Sequence, residues 1–533
     1  MKLLESVDCE KGITLNSQLV DLLSILDETS LSREEQDAEI ERYIQDLKER
    51  QEKYELASSK GTGAKYLFLV ESVIDELGLK TDEEKEKIKS IYLAGARDLS
   101  VCDKQKMLKV LNENGLSPEI HETIMRDLKT KDFTAKEGIL DLDATKVRGL
   151  YSHLFENGNK YDRVTFDNVA KYSGYVSADG ETYATDKMEK MQRFCEAHGM
   201  KTKINALMFY ADFPKVYEQS LDNRVKNGEI TEQDKKELIK KSLFDYVRDI
   251  GKRYGDRVES VDIFNELIYD PVMKEEGFDE QTPEYQYRSQ GWHKYLSLED
   301  MCKMAVIARK QMPNVKFTYN DMNWTDPEKR KQIIGLLKDI KQVEEKFRTE
   351  GVEIDGRVVK LGENESLVDS IGFEAHLMTD VDLEQMEQAF NDVTSEIGLP
   401  IEITELDVAH SSDNYELESK RQGKVFEKIM RMVKEHPEIT SLTIWSQSDI
   451  CSFMDKKIGR KSYASVLDSD FREKDFEPTL SLEDKPKSSE CAFIEECRGK
   501  VKTGDEVLSF YAESESQKQE HINDKKREDP FKR

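Results

Sequence analysis

Two glutamates close short strand-like runs, and their placement is where chemistry first shows. Glu266 ends the run VESVDIFNE at 258–266, and Glu405 stands inside IEITELDV at 401–408. Each run is rich in β-branched and apolar residues and delivers a carboxyl where a strand should open into a loop. At the C-terminal rim of a parallel α/β barrel such groups face the active-site mouth. A carboxyl pair there is what glycosidic bond cleavage needs. One protonates the leaving oxygen, and the other attacks or stabilises the anomeric carbon.

The elements that must position them follow a strand, loop, helix rhythm from about residue 138. Strands are expected at 138–142, 163–167, 202–209, 258–266, 315–321, 368–377, 401–408 and 441–446. Helices are expected at 187–198, 235–254, 298–310, 328–350, 383–397 and 416–435. This alternation predicts an α/β fold, a closed (β/α)8 TIM barrel. An open doubly wound sheet is the alternative, and it lacks a Gly-rich phosphate turn after its first strand. The run KGTGAK at 60–65 has neither the spacing nor the preceding strand of a P-loop. Residues 1–130 read as all-helical, with segments at 33–56, 66–77, 83–96, 104–112 and 120–128. The expected division is a helical region at 1–130, a barrel at 131–500 and a charged helical or disordered tail at 501–533.

Composition excludes several classes. Acidic residues outnumber basic ones 109 to 81, for a net charge of -28 over 533 residues. Such a surface repels phosphate backbones, so nucleic acid is not an expected partner. No stretch approaches the roughly 20 apolar residues of a membrane span, and the first residues carry acids where a signal peptide needs an apolar segment. Seven cysteines without a C-x-x-C pair argue for a reducing compartment and against a zinc site or a disulfide framework. The expected location is the cytoplasm, with no membrane partner. A protein partner docked on residues 1–130 is left open.

Six segments, in order, spell a family pattern over roughly residues 161–475. They are VTFDNVAKY at 164–172, DIFNE at 262–266, FTYNDMN at 317–323, IGFEAHL at 371–377, ITELD at 403–407 and TIWSQSD at 443–449. They resemble V-T-x-E-N-x-x-K-W, W-D-V-V-N-E, Y-Y-N-D-Y-N, I-G-x-Q-G-H-L, I-T-E-L-D and T-x-W-G-x-x-D of glycoside hydrolase family 10, the retaining β-1,4-xylanases. The resemblance implies that Glu266 is the general acid/base and Glu405 the nucleophile. A retaining mechanism sets such carboxyls about 5–5.5 Å apart, one protonated and one ionised. It also implies that His376 holds Glu405 while Asp407 fixes the far ring nitrogen. Asn265 would donate to the sugar 2-hydroxyl, Asn320 would support the site, and Trp445 would be a stacking platform for sugar.

Departures concentrate at the positions that should hold sugar. The G-H-T-L-V-W-H of the third strand reads INALMFY at 204–210, so Asn205 replaces a histidine and Phe209 a tryptophan. Asp212 replaces a glutamine, Asp167-Asn168 stands for E-N, and Glu374-Ala375 stands for Q-G. Lys171 keeps its place, and Phe453 takes that of a second tryptophan. The segment 272–296, with Tyr285, Tyr287, Trp292 and His293, is a long insertion directly after Glu266. It roofs the leaving-group side or is a solvated insertion with its own small core. The seven histidines other than His376 are expected at the surface.

The reading is a retaining glycosidase for a β-linked carbohydrate, xylan or xylo-oligosaccharide first, needing no cofactor or metal. The alternatives are a catalytically weakened barrel that binds carbohydrate or serves as a scaffold, and a transglycosylase. Contacts to sugar hydroxyls discriminate strongly between substrates, so the departures bear first on which sugar is taken.

Overall fold

Backbone pairing closes a barrel. The computed structural model describes residues 7–474, apart from 78–80, 98, 156–159, 271–277, 280–286 and 289–290. Its barrel strands are β1 (Glu10–Leu15), β2 (Arg163–Asp167), β3 (Lys201–Asn205), β4 (Ser260–Asn265), β5 (Lys316–Asp321), β6 (Ser370–Phe373), β7 (Ile401–Ala409) and β8 (Ile439–Ile444). Each is parallel to the next, and β8 returns to β1. The (β/α)8 fold is thus present, with helices on the outside as parallel crossovers demand.

One strand expectation is corrected. The run at 138–142 is not a strand but a 3-10 turn, Ile139–Asp141, opened by Gly138 at φ +76°. A side chain at 138 would collide with the Ile450 carbonyl. The first barrel strand is instead β1, far upstream in a segment read as helical. Gly12 lets it lie close to β8, because a Cβ there would run into Thr443 Oγ1. The all-helical part is therefore an insert between β1 and the rest of the barrel.

That insert runs through α1 (Ser17–Leu26), α2 (Arg33–Ser58), α3 (Thr62–Glu76), α4 (Asp82–Ala96), α5 (Lys104–Glu113) and α6 (Glu119–Thr130), and α7 (Ala144–Phe155) rejoins the barrel. Local signals start these helices as capping rules require. Asn16 accepts from Leu19 N, and Ser32 with Glu35 forms a capping box. The insert has two allegiances. Leu19 and Leu23 of α1 and Ile40 and Leu47 of α2 join the main core. Val70, Ile88, Tyr92, Leu111 and Ile124, from α3 to α6, make a separate core.

Outward-facing apolar residues of the strands pack on the helices, while the barrel axis is charged. Arg163 Nη2 meets Glu402 Oε2 at 3.2 Å, and Lys203 Nζ meets Asp262 Oδ1 at 2.8 Å and Glu402 Oε2 at 3.3 Å. Ser370 and Ser441 also donate to Glu402. Buried charges persist only when paired and hydrogen-bonded in this way. Among the described residues no helix is long and apolar enough to cross a membrane. The tail at 501–533 and Tyr285 lie outside the described residues.

Candidate active site

Glu405 and Glu266 both reach the C-terminal mouth of the barrel. Glu405 sits on β7, and Glu266 follows β4 directly at φ +50°, a left-handed conformation uncommon for a non-glycine residue. Ala375 has φ +55°, at a position where the family pattern has glycine.

Glu405 is held from three directions. Its Oε1 accepts from Asn205 Nδ2 at 3.0 Å and Asn320 Nδ2 at 2.9 Å. Its Oε2 lies 3.0 Å from His376 Nε2. His376 Nδ1 lies 3.1 Å from Asp407 Oδ1. Burial alone would lower the imidazole pKa, but Asp407 and Glu405, one on each ring nitrogen, outweigh it and raise it to about 9. At neutral pH His376 is an imidazolium that donates through both nitrogens. Trp445 and Phe453 pack edge-on around the ring, with centroids 6.0 and 4.8 Å away.

Glu266 lives in a different field. Asn265 Nδ2 donates to its Oε1 at 3.2 Å, and Arg288 Nη2 donates to its Oε2 at 3.0 Å. Burial raises its carboxyl above the ordinary range. Arg288 and Lys329 oppose that rise, whereas Asp321 and Glu405 add to it. Arg288 is fully buried, with its guanidinium 3.6 Å from the centre of the Tyr210 ring.

Asn320 ties the two halves together. Besides Glu405, its Nδ2 meets Asn265 Oδ1 at 2.8 Å and Glu374 Oε1 at 3.2 Å, while its Oδ1 accepts from Thr404 at 2.6 Å. Burial, with the charges of Glu266, Glu405 and Asp321, pushes Glu374 well above the carboxylate range. That environment favours its protonated form, which has a hydroxyl to donate. The ligand atoms of Glu374, His376 and Glu405 lie within 4.8 Å of one another. His376 spends both nitrogens on Glu405 and Asp407, which leaves no imidazole lone pair for an ion.

The remaining expected residues lie on the β2 and β3 side. Lys171 Nζ sits 4.5 Å above the Phe209 ring. Asn168, at φ +62°, donates to Asp167, and Lys136 Nζ lies 3.8 Å from Asp167 Oδ2. Asp212 is turned to the backbone, accepting from Ser173 N at 2.9 Å. Asn205 bridges Asp262 to Glu405, with 3.0 Å to each.

Sequence reasoning missed Arg288 and the acid character of Glu374. Arg288 stands within the insertion after Glu266, next to Tyr287 in YQYR at 285–288, and that aromatic and cationic run was its only signal. The histidine expectation is also corrected. His121, His153 and His410 are buried, each within a helical or loop core.

A family model, Glycosyl hydrolase family 10, matches residues 142–479. The chain belongs to glycosyl hydrolase family 10. Its classification is therefore that of an O-glycosyl hydrolase. The family match begins after β1 and helices α1 to α6. Among curated relatives, endo-1,4-beta-xylanase A of Caldicellulosiruptor saccharolyticus is 26% identical over 327 residues, spanning 58% of this chain and 82% of the relative. Endo-1,4-beta-xylanase A of Thermotoga neapolitana is 24% identical over 388 residues, 66% of this chain but only 32% of that longer relative. Among solved structures, native xylanase 10B from Thermotoga maritima covers 61% of this chain at 20% identity, with a TM-score of 0.48.

Proposed function

We propose that this family 10 chain is a retaining glycoside hydrolase for β-1,4-linked polysaccharide or oligosaccharide, with xylan or xylo-oligosaccharide as substrate. Glu405 is the nucleophile and Glu266 the acid/base. One observation carries the reading: of two carboxyls at the same barrel mouth, one is held by three side-chain donors and the other is buried beside an arginine. Glu405 is fixed by Asn205, Asn320 and His376, which suits a nucleophile that must be held in one orientation. Glu266 is raised by burial, which suits a group that starts with a proton. Glu266 protonates the leaving oxygen while Glu405 forms the glycosyl-enzyme ester. Glu266, now a base, then takes a proton from the water that hydrolyses it.

The ion pair between Arg288 and Glu266 favours a second reading, a barrel with weakened catalysis that binds carbohydrate or serves as a scaffold. An arginine on the acid stabilises its proton-free form.

A panel of 4-nitrophenyl β-glycosides (xylobioside, cellobioside, xyloside, glucoside) separates the two. Hydrolysis of one sugar by the wild type, abolished in Glu405→Ala and weakened less in Glu266→Ala, supports the first reading. No turnover by a folded wild type, with xylo-oligosaccharides binding by calorimetry, supports the second.

A further inference from the structure

The helical insert touches the barrel at one place that matters for the site, the loop between β2 and the helix Asp186–Ala197. His121 of α6 is wholly buried and lies 3.2 Å, through Nε2, from Oδ2 of Asp179, which is also wholly buried. The other ring nitrogen lies 3.1 Å from the Tyr92 hydroxyl of α4, inside the insert's own core. Asp179 in turn gathers its loop, accepting from Glu181 N at 3.0 Å, Thr182 N at 2.9 Å and Thr182 Oγ1 at 2.7 Å. Ser177 Oγ donates to the Met125 carbonyl at 2.8 Å, and Lys187 Nζ meets Asp132 at 2.6 Å.

Closer to the barrel mouth the insert supplies cations. Lys129 Nζ donates to the Ser173 carbonyl at 2.6 Å, on the residue whose N–H holds Asp212. Its charge acts on the Asp212 carboxyl, which burial would otherwise raise further. Lys136, in the segment that leaves the insert, lies 3.8 Å from Asp167. The loop is also anchored on its barrel side, where Tyr172 bonds Ser242 and Tyr175 bonds Asp249. The insert completes the grip from the other side.

We propose that the insert is part of the substrate-binding apparatus. It clamps the β2 loop through His121 and Asp179, and it sets Lys129 and Lys136 beside Asp212 and Asp167. The length of β-linked chain held on that side of the mouth then depends on the insert. His121 and Asp179 are positioning residues, and Lys136 is a specificity residue. The inference rests on the glycosidase reading for its substrate but not for its clamp.

The test uses the full chain with His121→Gln, Asp179→Asn and, at a partly exposed side chain, Lys136→Met. Two readouts are taken. Hydrogen exchange over residues 168–185 should quicken in His121→Gln and Asp179→Asn. On xylo-oligosaccharides of increasing length, all three variants should raise KM several-fold for the longer ones, with the loss in KM rather than kcat. Unaltered exchange in the two clamp variants overturns the clamp. A fall in kcat equal at every length overturns the binding role, as does an unaltered KM in Lys136→Met. Should His121→Gln not fold, Asp179→Asn and Lys136→Met still decide. Should the wild type hydrolyse no oligosaccharide, the glycosidase reading fails, and exchange alone judges the clamp.

Discussion

Arg288 donates to Glu266 Oε2 across 3.0 Å from a position with no solvent exposure, braced on the face of Tyr210. A cation so placed favours the ionised form of its partner, while burial, Asp321 and Glu405 favour the protonated form. Lys329 sides with Arg288.

Replacing Arg288 with Gln should therefore raise the pKa of Glu266. An acid that must carry its proton sets the basic limb of kcat/KM, so that limb should move to higher pH. A kcat/KM pH profile on a xylo-oligosaccharide, whose leaving sugar needs the proton, checks this, with an aryl β-xylobioside as the control that needs it less. A basic limb that stays in place would mean that another group controls it.

His376 carries a second pH signature. Its folded pKa, about 9, lies above the ordinary value of 6.5. The stability it contributes is fully present below about 6.5 and is lost as pH rises through 9. The groups facing it are Asp407, Glu405 and the rings of Trp445 and Phe453. His376→Gln should cost on the order of 1.5–3 kcal/mol at pH 6, the range for hydrogen bonds to charged groups. The difference from wild type should shrink above pH 9 in melting curves taken across that span.

Asn320 can be displaced without touching it. A Cβ at Gly372 would collide with Asn320 Oδ1 and approach Thr404 Cγ2 at 3.0 Å. Gly372→Ala should destabilise by about 1–3 kcal/mol, as overpacked cores do. Activity should fall by roughly 10²-fold, comparable to losing a preorganised donor. Circular dichroism melts and kcat on the same aryl glycoside report both.

Lys203→Met leaves Asp262 without its cation and Glu402 with only part of its compensation. Uncompensated charge in a sealed interior costs about 3–5 kcal/mol. Urea unfolding at pH 7 should show that loss. A smaller loss at pH 5 is expected, because Asp262, raised to about 6 by burial, takes up a proton there.

Much of this was legible beforehand, and the exceptions have physical causes. Seven strands were readable because β-branched runs alternate with amphipathic helices, and Glu405, His376 and Asp407 were legible as a motif. Strand β1 was not. Glu10–Leu15 starts with charged residues that belong to the barrel floor, where Glu10 pairs with Arg163 and Lys201. The apolar run at 138–142 imitated it. The donation of Asn205 Nδ2 to Asp262 and Glu405 was not legible either, because only the tertiary fold brings those carboxyls to it. Arg288 was hidden because nothing local says which of several basic residues an insertion will fold inward.

β1 pairs along one edge with β8, Glu10 opposite Ser441. The two partners are separated by roughly 430 residues of chain. At about 5–20 residues per second, a ribosome needs tens of seconds to bring the second into existence. Through that interval β1 has an unsatisfied edge, the kind of surface that recruits the wrong neighbour. Helices α3 to α6 have their own core and mostly local contacts, so they can form meanwhile. What the insert does for the nascent chain is then a matter of timing: a prefolded body beside a strand that must wait for its mate.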